Sequence, residues 1–152
     1  MDINDVAVKY LAYRARTAKE MKDYLLKKGF DEDKIEKTIE NLKERKYIND
    51  ISYVNQYLRY GFSKHKALYR IKYELRQKGI NDFDLEDGIF LFEDESDKTI
   101  DEIEKKNAIY EAERILFSKD EIDQKALDRV GRRLNSLGYS PGLIYGVINS
   151  YR

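Results

Sequence analysis

Apolar side chains recur along the chain in three copies of one frame, and each copy is centred on a glycine: Gly29, Gly79 or Gly138. Counted from that glycine, six positions are apolar in every copy: eight and four before it, and one, six, ten and thirteen after it. Offsets of four place side chains on one face of a helix, so the frame predicts a repeated helical unit. The six columns hold Met21, Ile71 and Val130; Leu25, Leu75 and Leu134; Phe30, Ile80 and Tyr139; Ile35, Leu85 and Ile144; Ile39, Ile89 and Ile148; and Leu42, Phe92 and Tyr151.

The glycine of each copy is predicted to form a corner between two helices. A residue without Cβ enters the left-handed conformation that ends a helix at little cost. Asp31, Asn81 and Ser140 each follow their glycine by two residues, and their short polar side chains suit the cap of the next helix. Each copy therefore predicts a helix, a tight corner and a second helix.

A further helix precedes each of these pairs, which gives an all-α fold of nine helices in three triplets, with no strand. We expect the repeats at 1–49, 50–94 and 95–152; the alternative is a helical bundle without repeats. In the middle repeat, Gly61 is expected to break the first helix and Ser63 to cap the next one. The other expected helices are 5–14, one starting at the capping-box pair Thr17 and Glu20, 31–45, 82–92, one ending at Phe117, 121–137 and one from Pro141 onwards.

Two local features complicate the pattern between the second and third repeats. Gly88 lies inside an expected helix and lowers its propensity by up to ~1 kcal/mol. The acidic residues 93–97 are either a loop or the start of a long helix reaching Phe117. Gly29 and Gly79 are 50 residues apart and Gly79 and Gly138 are 59 apart, which indicates an insertion in this region.

Composition favours long, solvated helices, since 41% of residues are hydrophobic, 38% are charged and one is proline. The absence of cysteine excludes disulfides and thiolate zinc sites. No apolar run approaches the ~20 residues that cross a bilayer, and the N-terminus has no signal-peptide core. We therefore expect a soluble cytoplasmic protein that does not contact a membrane.

A formal net charge of zero conceals an uneven distribution along the chain. Residues 51–80 contain seven basic residues and one acid, a balance of +6, whereas residues 81–106 contain eleven acids and three lysines, a balance of −8. Such asymmetry bears on binding partners rather than on the fold.

A series of short segments in fixed order carries a family resemblance. The first repeat has Arg16-Thr17 with Glu20, Leu25, Gly29-Phe30, Ile35 and Tyr47-Ile48-Asn49-Asp50; the second has Tyr53, Tyr57, Ile71, Leu75 and Lys78-Gly79-Ile80. In these segments and over nearly its full length, the chain resembles the RecX family, the regulators of the RecA recombinase. The third repeat departs from the pattern through its acidic insertion and a long first helix.

The resemblance implies both an architecture and a function. It implies three tandem three-helix repeats in an elongated, curved molecule. It also implies a non-enzymatic protein of DNA repair, homologous recombination and the SOS response. Such a protein binds in the groove of the RecA filament on single-stranded DNA and limits the recombinase, ATPase and coprotease activities of RecA. We expect a monomer without a cofactor, whose direct contact with DNA is at most weak.

The candidate binding site is the outward face of the middle repeat's basic helix, expected from Ser63 to Lys78. Leu68, Ile71 and Leu75 define its buried side. Cations neutralise the charge of phosphates, and tyrosine rings add contact area. At the positions of Tyr69 and Tyr73, the first repeat has Lys19 and Asp23, and the third repeat has Asp128 and Arg132. His65 is also expected on the outer half of this helix. The candidate set is Lys66, Tyr69, Arg70, Lys72, Tyr73 and Arg76 on this helix, with Arg59 on the preceding one.

Purely structural roles stay open for several of these residues. Tyr69 and Tyr73 could pack against a neighbouring repeat. A second basic group, Arg129, Arg132 and Arg133, could be a binding site or a solvated helix face. The acidic residues 93–97 could mimic DNA or form a linker. His65 is the one histidine, so neither a metal site nor histidine-based catalysis is expected.

Three functional hypotheses follow from the sequence. The first is a RecA regulator, which we favour. The second is a helical module that binds nucleic acid without sequence preference and has no role with RecA. The third is a helical scaffold for an unrelated protein.

Overall fold

Nine α-helices and no β-strand make up the chain in the computed structural model, which describes residues 1–152. The all-α prediction is confirmed. None of the helices combines the length and the apolar composition needed to cross a bilayer. They are α1 Ile3–Tyr13, α2 Ala18–Lys27, α3 Glu32–Glu44, α4 Asp50–Ser63, α5 Leu68–Gln77, α6 Asp82–Glu95, α7 Ile100–Leu116, α8 Gln124–Ser136 and α9 Pro141–Asn149.

The three glycine corners have the same backbone geometry, as the repeat predicts. Gly29, Gly79 and Gly138 have φ angles of 91°, 88° and 93°. In each corner the residue after the glycine donates its N–H to the carbonyl five residues back, at 3.2 Å. The glycine donates its own N–H to the carbonyl three residues back, at 3.0 Å. These paired bonds satisfy carbonyls at the end of α2, α5 and α8, and the left-handed glycine makes them geometrically accessible.

The repeated apolar columns form the interior of the chain. All six side chains of the columns eight and four positions before the glycine are fully buried. Asp31, Asn81 and Ser140 each accept a backbone N–H bond at the start of the following helix, so the predicted caps are confirmed. Thr17 and Glu20 form the predicted capping box on α2.

Contacts group the residues into two compact units. The first comprises Met1–Gln56 with Glu74–Leu91, and the second comprises Tyr57–Tyr73 with Phe92–Arg152. The first has a core built on Met21, Leu25 and Ile35; the second has a core built on Val130, Leu134 and Tyr139. The middle triplet, α4 to α6, contributes residues to both units, and the repeat boundaries at 1–49, 50–94 and 95–152 stay a prediction.

One type of contact between successive repeats occurs in both units. In the first unit, the Thr17 hydroxyl at the start of α2 donates to the Lys78 carbonyl at 2.7 Å. In the second, the Ala67 N–H at the start of α5 donates to the Leu137 carbonyl at 2.8 Å. Both carbonyls belong to the residue just before a corner glycine. The corners at Gly79 and Gly138 thus each receive the start of the preceding repeat's central helix.

The predicted break at Gly61 and cap at Ser63 are wrong. Gly61 lies inside α4, and a Cβ placed on it would lie 2.5 Å from Ile71 Cδ1, so the glycine permits close packing instead of ending the helix. The helix ends at Ser63 because His65 adopts a left-handed φ of 62°. The N–H of Lys66 then bonds to the Gly61 carbonyl. The basic helix therefore begins at Leu68, five residues later than predicted.

Neither interpretation of the acidic residues 93–97 is correct. Glu93 to Glu95 form the last turn of α6, and a short turn follows before Thr99 caps α7. Gly88 lies within α6, where a Cβ would lie 2.4 Å from Val54 Cβ, so this glycine also permits close helix packing. α8 begins at Gln124, after the Asp123 cap, and not at residue 121.

Replacement of the corner glycines by alanine tests the contact between repeats. Gly29→Ala is expected to cost about 1 kcal/mol, from left-handed strain alone, because nothing lies within 4 Å of the added Cβ. Gly138→Ala is expected to cost about 3 kcal/mol, because its Cβ would also lie 2.7 Å from Arg70 Cβ and 3.2 Å from the Arg70 nitrogen. Urea unfolding of both variants measures the difference; equal costs would contradict the tight contact at Gly138.

Candidate functional site

The two tyrosines of the candidate face point into solvent, as predicted. The side chain of Tyr69 is 78% exposed and that of Tyr73 is 60% exposed, and neither takes part in a hydrogen bond. They lie one turn apart on α5, within the second unit. Packing against a neighbouring repeat therefore does not explain them. Lys66 and Lys72 are only partly exposed.

Arg70 has a structural role that the sequence did not indicate. Its guanidinium Nη1 donates a hydrogen bond to the Ser136 carbonyl near the end of α8. Its backbone and Cβ pack against Gly138. Arg70 therefore joins α5 to the corner between α8 and α9, and its replacement would disturb the fold as well as the candidate face.

Two further predicted cations are paired with carboxylates. Arg59 lies 2.8 Å from Glu95 in the second unit, and Arg76 lies 3.3 Å from Asp82 in the first. Both arginine side chains remain about half exposed. An exposed pair of this kind contributes little to stability, so either arginine can exchange its partner at low cost.

His65 was predicted on the outer face of the basic helix, but it lies in the turn after α4. Its Nδ1 lies 2.6 Å from Glu111 Oε2, and its carbonyl accepts a 2.6 Å hydrogen bond from the Tyr139 hydroxyl. Burial, with the nearby carboxylates of Glu104 and Glu111, raises the pKa of Tyr139, so this hydroxyl stays a donor. These bonds hold His65 in its left-handed conformation.

Glu111 is the buried centre of a charged cluster, with 3% of its surface exposed. Besides His65, it accepts a hydrogen bond from Arg133 Nε at 3.0 Å, and Arg114 lies 3.6 Å away. Burial of the carboxylate favours its neutral form, but the hydrogen bonds from His65 and Arg133 outweigh it and hold the pKa of Glu111 below its usual range. Glu111 is therefore ionised at neutral pH.

The second predicted basic group divides into two kinds of residue. Arg133 is held by Glu111, whereas Arg129 and Arg132 are exposed and form no hydrogen bond or ion pair. No group of three or more histidine, cysteine or carboxylate side chains in the chain has a geometry that could hold a metal ion.

Comparisons with known proteins agree with the repeated helical architecture. Residues 5–42 match the family model described as RecX, first three-helix domain. A regulatory protein RecX of Clostridium botulinum (strain Eklund 17B / Type B) is 31% identical over 147 residues, 95% of this chain and 66% of the relative. That of Clostridium perfringens (strain 13 / Type A) is 35% identical over 126 residues, 82% of this chain and 56% of the relative.

A crystal structure of RecX from Lactobacillus salivarius matches with a TM-score of 0.81 and 27% identity. The match covers 98% of this chain and 94% of that one. The chain belongs to the RecX family. It spans about half to two thirds of the length of the curated RecX relatives that it matches. Those relatives are named regulatory proteins.

Sequence reasoning missed Glu111 in this RecX chain, and with it the pairing of Glu111 with His65 and Arg133. Only the helical periodicity could have indicated Glu111 from the sequence. Glu111 lies between Ala108 and Ala112 on the apolar side of α7, where a carboxylate is unexpected. The neighbouring helix supplies Arg133, but pairing across two helices is not visible in the spacing along one of them.

Replacing Glu111 by glutamine is expected to reduce the free energy of unfolding by about 2 kcal/mol at neutral pH. Because the folded-state pKa is lowered, Glu111 contributes this stability above the ordinary value of 4.5 and loses it as the pH falls further. The difference between wild-type and Glu111→Gln should therefore shrink in acid. Urea unfolding at neutral and acidic pH measures it, with the exposed Glu113→Gln as control; a difference independent of pH would contradict this account.

Proposed function

We propose that this protein is a non-enzymatic regulator that binds the RecA filament on single-stranded DNA. It lowers the recombinase, ATPase and coprotease activities of RecA, and it acts as a monomer without a cofactor. Membership of the RecX family is the observation that carries this proposal. The activity and the partner are themselves inferred.

The exposed tyrosines of α5 support a protein-binding role for this face. Tyr69 and Tyr73 leave large amphipathic rings in water, although nothing within the chain requires them there. Tyrosine is enriched among the residues that dominate the binding energy of protein interfaces, because its ring adds contact area at a low entropic cost. Lys66 and Lys72 beside them supply positive charge. We assign the contact with RecA to this face.

The proposed mechanism is thermodynamic. A ligand shifts a conformational equilibrium only through its different affinities for the two states. If the face binds a filament state that is inactive in strand exchange more tightly than the active state, occupancy moves the filament toward the inactive state. Occupation of the filament groove also blocks the incoming DNA. Neither effect needs a catalytic group in the regulator.

Replacement of both tyrosines tests the assigned face. Wild-type protein is expected to reduce the DNA-dependent ATPase rate of RecA at substoichiometric ratios. The double variant Tyr69→Ser, Tyr73→Ser should require at least ~10-fold more protein for the same effect, because two interface anchors are lost. Neither side chain bonds within the fold, so its unfolding midpoint should match the wild type.

The double variant Tyr13→Ser, Tyr145→Ser is a matched control, because these tyrosines are also exposed, by 86% and 64%. Inhibition equal to wild type is expected from it. If the Tyr69 and Tyr73 variant inhibits as well as wild type does, the contact lies elsewhere. If wild-type protein itself leaves the ATPase and strand-exchange rates of RecA unchanged, the proposed function is wrong.

The second candidate is a nucleic-acid-binding module without a role in RecA regulation. The unpaired cations Arg129 and Arg132 favour it. A RecA pull-down with and without single-stranded DNA separates the two functions. Retention by RecA filaments in amounts beyond those retained by the DNA alone is expected for the regulator and excludes the second candidate.

A further inference from the structure

Two phenylalanine rings of α6 lie in solvent within the first unit. The side chain of Phe83 is 86% exposed and that of Phe90 is 72% exposed, and neither ring contacts another aromatic ring. Seven residues are close to two helical turns, so both rings lie on one face, about 10 Å apart along the axis. Leu85 and Ile89 form the buried side of α6. Packing within the chain therefore does not explain the two phenylalanines.

The charge around these rings has one sign. α6 contains seven acids and no base over Asp82–Glu95. Glu86 and Asp87 lie between the two phenylalanines on the same face, and both are exposed. We call Phe83, Glu86, Asp87 and Phe90 the acidic face. Such a surface repels nucleic acids and anionic lipids, and it attracts a cationic protein surface that also carries apolar or aromatic groups.

The chain itself presents a surface of that complementary kind on α5. Tyr69 and Tyr73 are exposed one turn apart, and the partly exposed Lys72 lies beside them. Both faces thus combine two aromatic rings with charge over two turns or less of helix, and their charges are opposite. Contact between them brings aromatic rings together and places an ammonium group near carboxylates, and both interactions are favourable at an interface.

We propose that the acidic face of α6 binds the exposed tyrosines of α5 in a second copy of this chain. The contact is heterologous, because two different surfaces meet. Four aromatic side chains bury roughly 600–1,000 Å² in such a contact. This area is smaller than that of a permanent interface, so the association is weak and reversible.

Self-association regulates the protein, and this part of the inference rests on the proposed function. A copy whose Tyr69 and Tyr73 are covered cannot offer them to RecA, so the monomer is the active form. RecA filaments and second copies then compete for the same tyrosines, and the concentration of each determines the outcome by mass action.

Sedimentation velocity without RecA, over a series of protein concentrations, tests the contact. The weight-average sedimentation coefficient of wild-type protein is expected to rise with concentration. The variants Phe83→Ser, Phe90→Ser and Tyr69→Ser, Tyr73→Ser should each need at least ~10-fold more protein for the same rise, because each lacks one side of the contact. An equimolar mixture of the two variants should form heterodimers, since each retains the surface that the other lacks.

The matched control is Phe117→Ser, Tyr145→Ser, which removes two other exposed rings, exposed by 92% and 64%. It should associate as wild type does, and the unfolding midpoints of all variants should match the wild type. Four results would overturn the proposal: wild-type protein that stays monomeric at every concentration, an equal loss in the control, a tyrosine variant that associates as wild type does, or a mixture that remains monomeric.

The RecA ATPase assay keeps the two proposals apart. Wild-type protein that associates as expected but leaves RecA unchanged refutes only the proposed function. Wild-type protein that inhibits RecA but stays monomeric refutes only the self-association. If both proposals hold, Phe83→Ser, Phe90→Ser should inhibit RecA at a lower total concentration than wild type, because a larger fraction of it is monomeric.

Discussion

The corner after each repeat's central helix constrains the chain on two sides at once. Within each repeat, the backbone must bend between two helices within two residues, and the left-handed glycines at 29, 79 and 138 allow this bend. On the outside, the second and third corners must admit the preceding repeat: a Cβ on Gly79 would lie 2.3 Å from Lys19, and one on Gly138 would lie 2.7 Å from Arg70. Gly29 has no such neighbour. Glycine is therefore required in the first repeat for the left-handed bend alone. In the second and third repeats it is required both for the bend and for the close approach of the preceding repeat.

This arrangement explains why the interior repeats while the surface does not. The columns eight and four residues before the glycine are buried in all three copies, because each corner positions its helices in the same way. Positions that face solvent are free of this constraint. Tyr69 and Tyr73 in the middle repeat correspond to Lys19 and Asp23 in the first, and Asp128 and Arg132 in the third. We expect differences between the repeats in partner binding to arise from these solvent-facing positions.

The sequence predicted what depends on local chemistry and failed where distant residues decide. Nine helices, three corners and their caps follow from periodicity, glycine and short polar residues. The end of α4 and the start of α5 do not, because a left-handed His65 is stabilised by Glu111 and Tyr139, more than forty residues away. Gly61 and Gly88 resemble helix breakers in sequence, yet both permit close packing within helices. The exposure of Tyr69 and Tyr73 was predictable from helical spacing; the anchoring of Arg70 to Ser136 was not.

The basic residues of α5 and α8 differ in their availability to a binding partner. Arg70 and Arg133 are held by a carbonyl and a buried carboxylate, so binding through them must compete with bonds that stabilise the fold. Arg129 and Arg132 have no internal bond to lose. The free energy of a phosphate contact is therefore more fully available at Arg129 and Arg132, even though Arg133 is adjacent in sequence. A count of basic residues locates positive charge, but the network around Glu111 determines which part of that charge can bind a ligand.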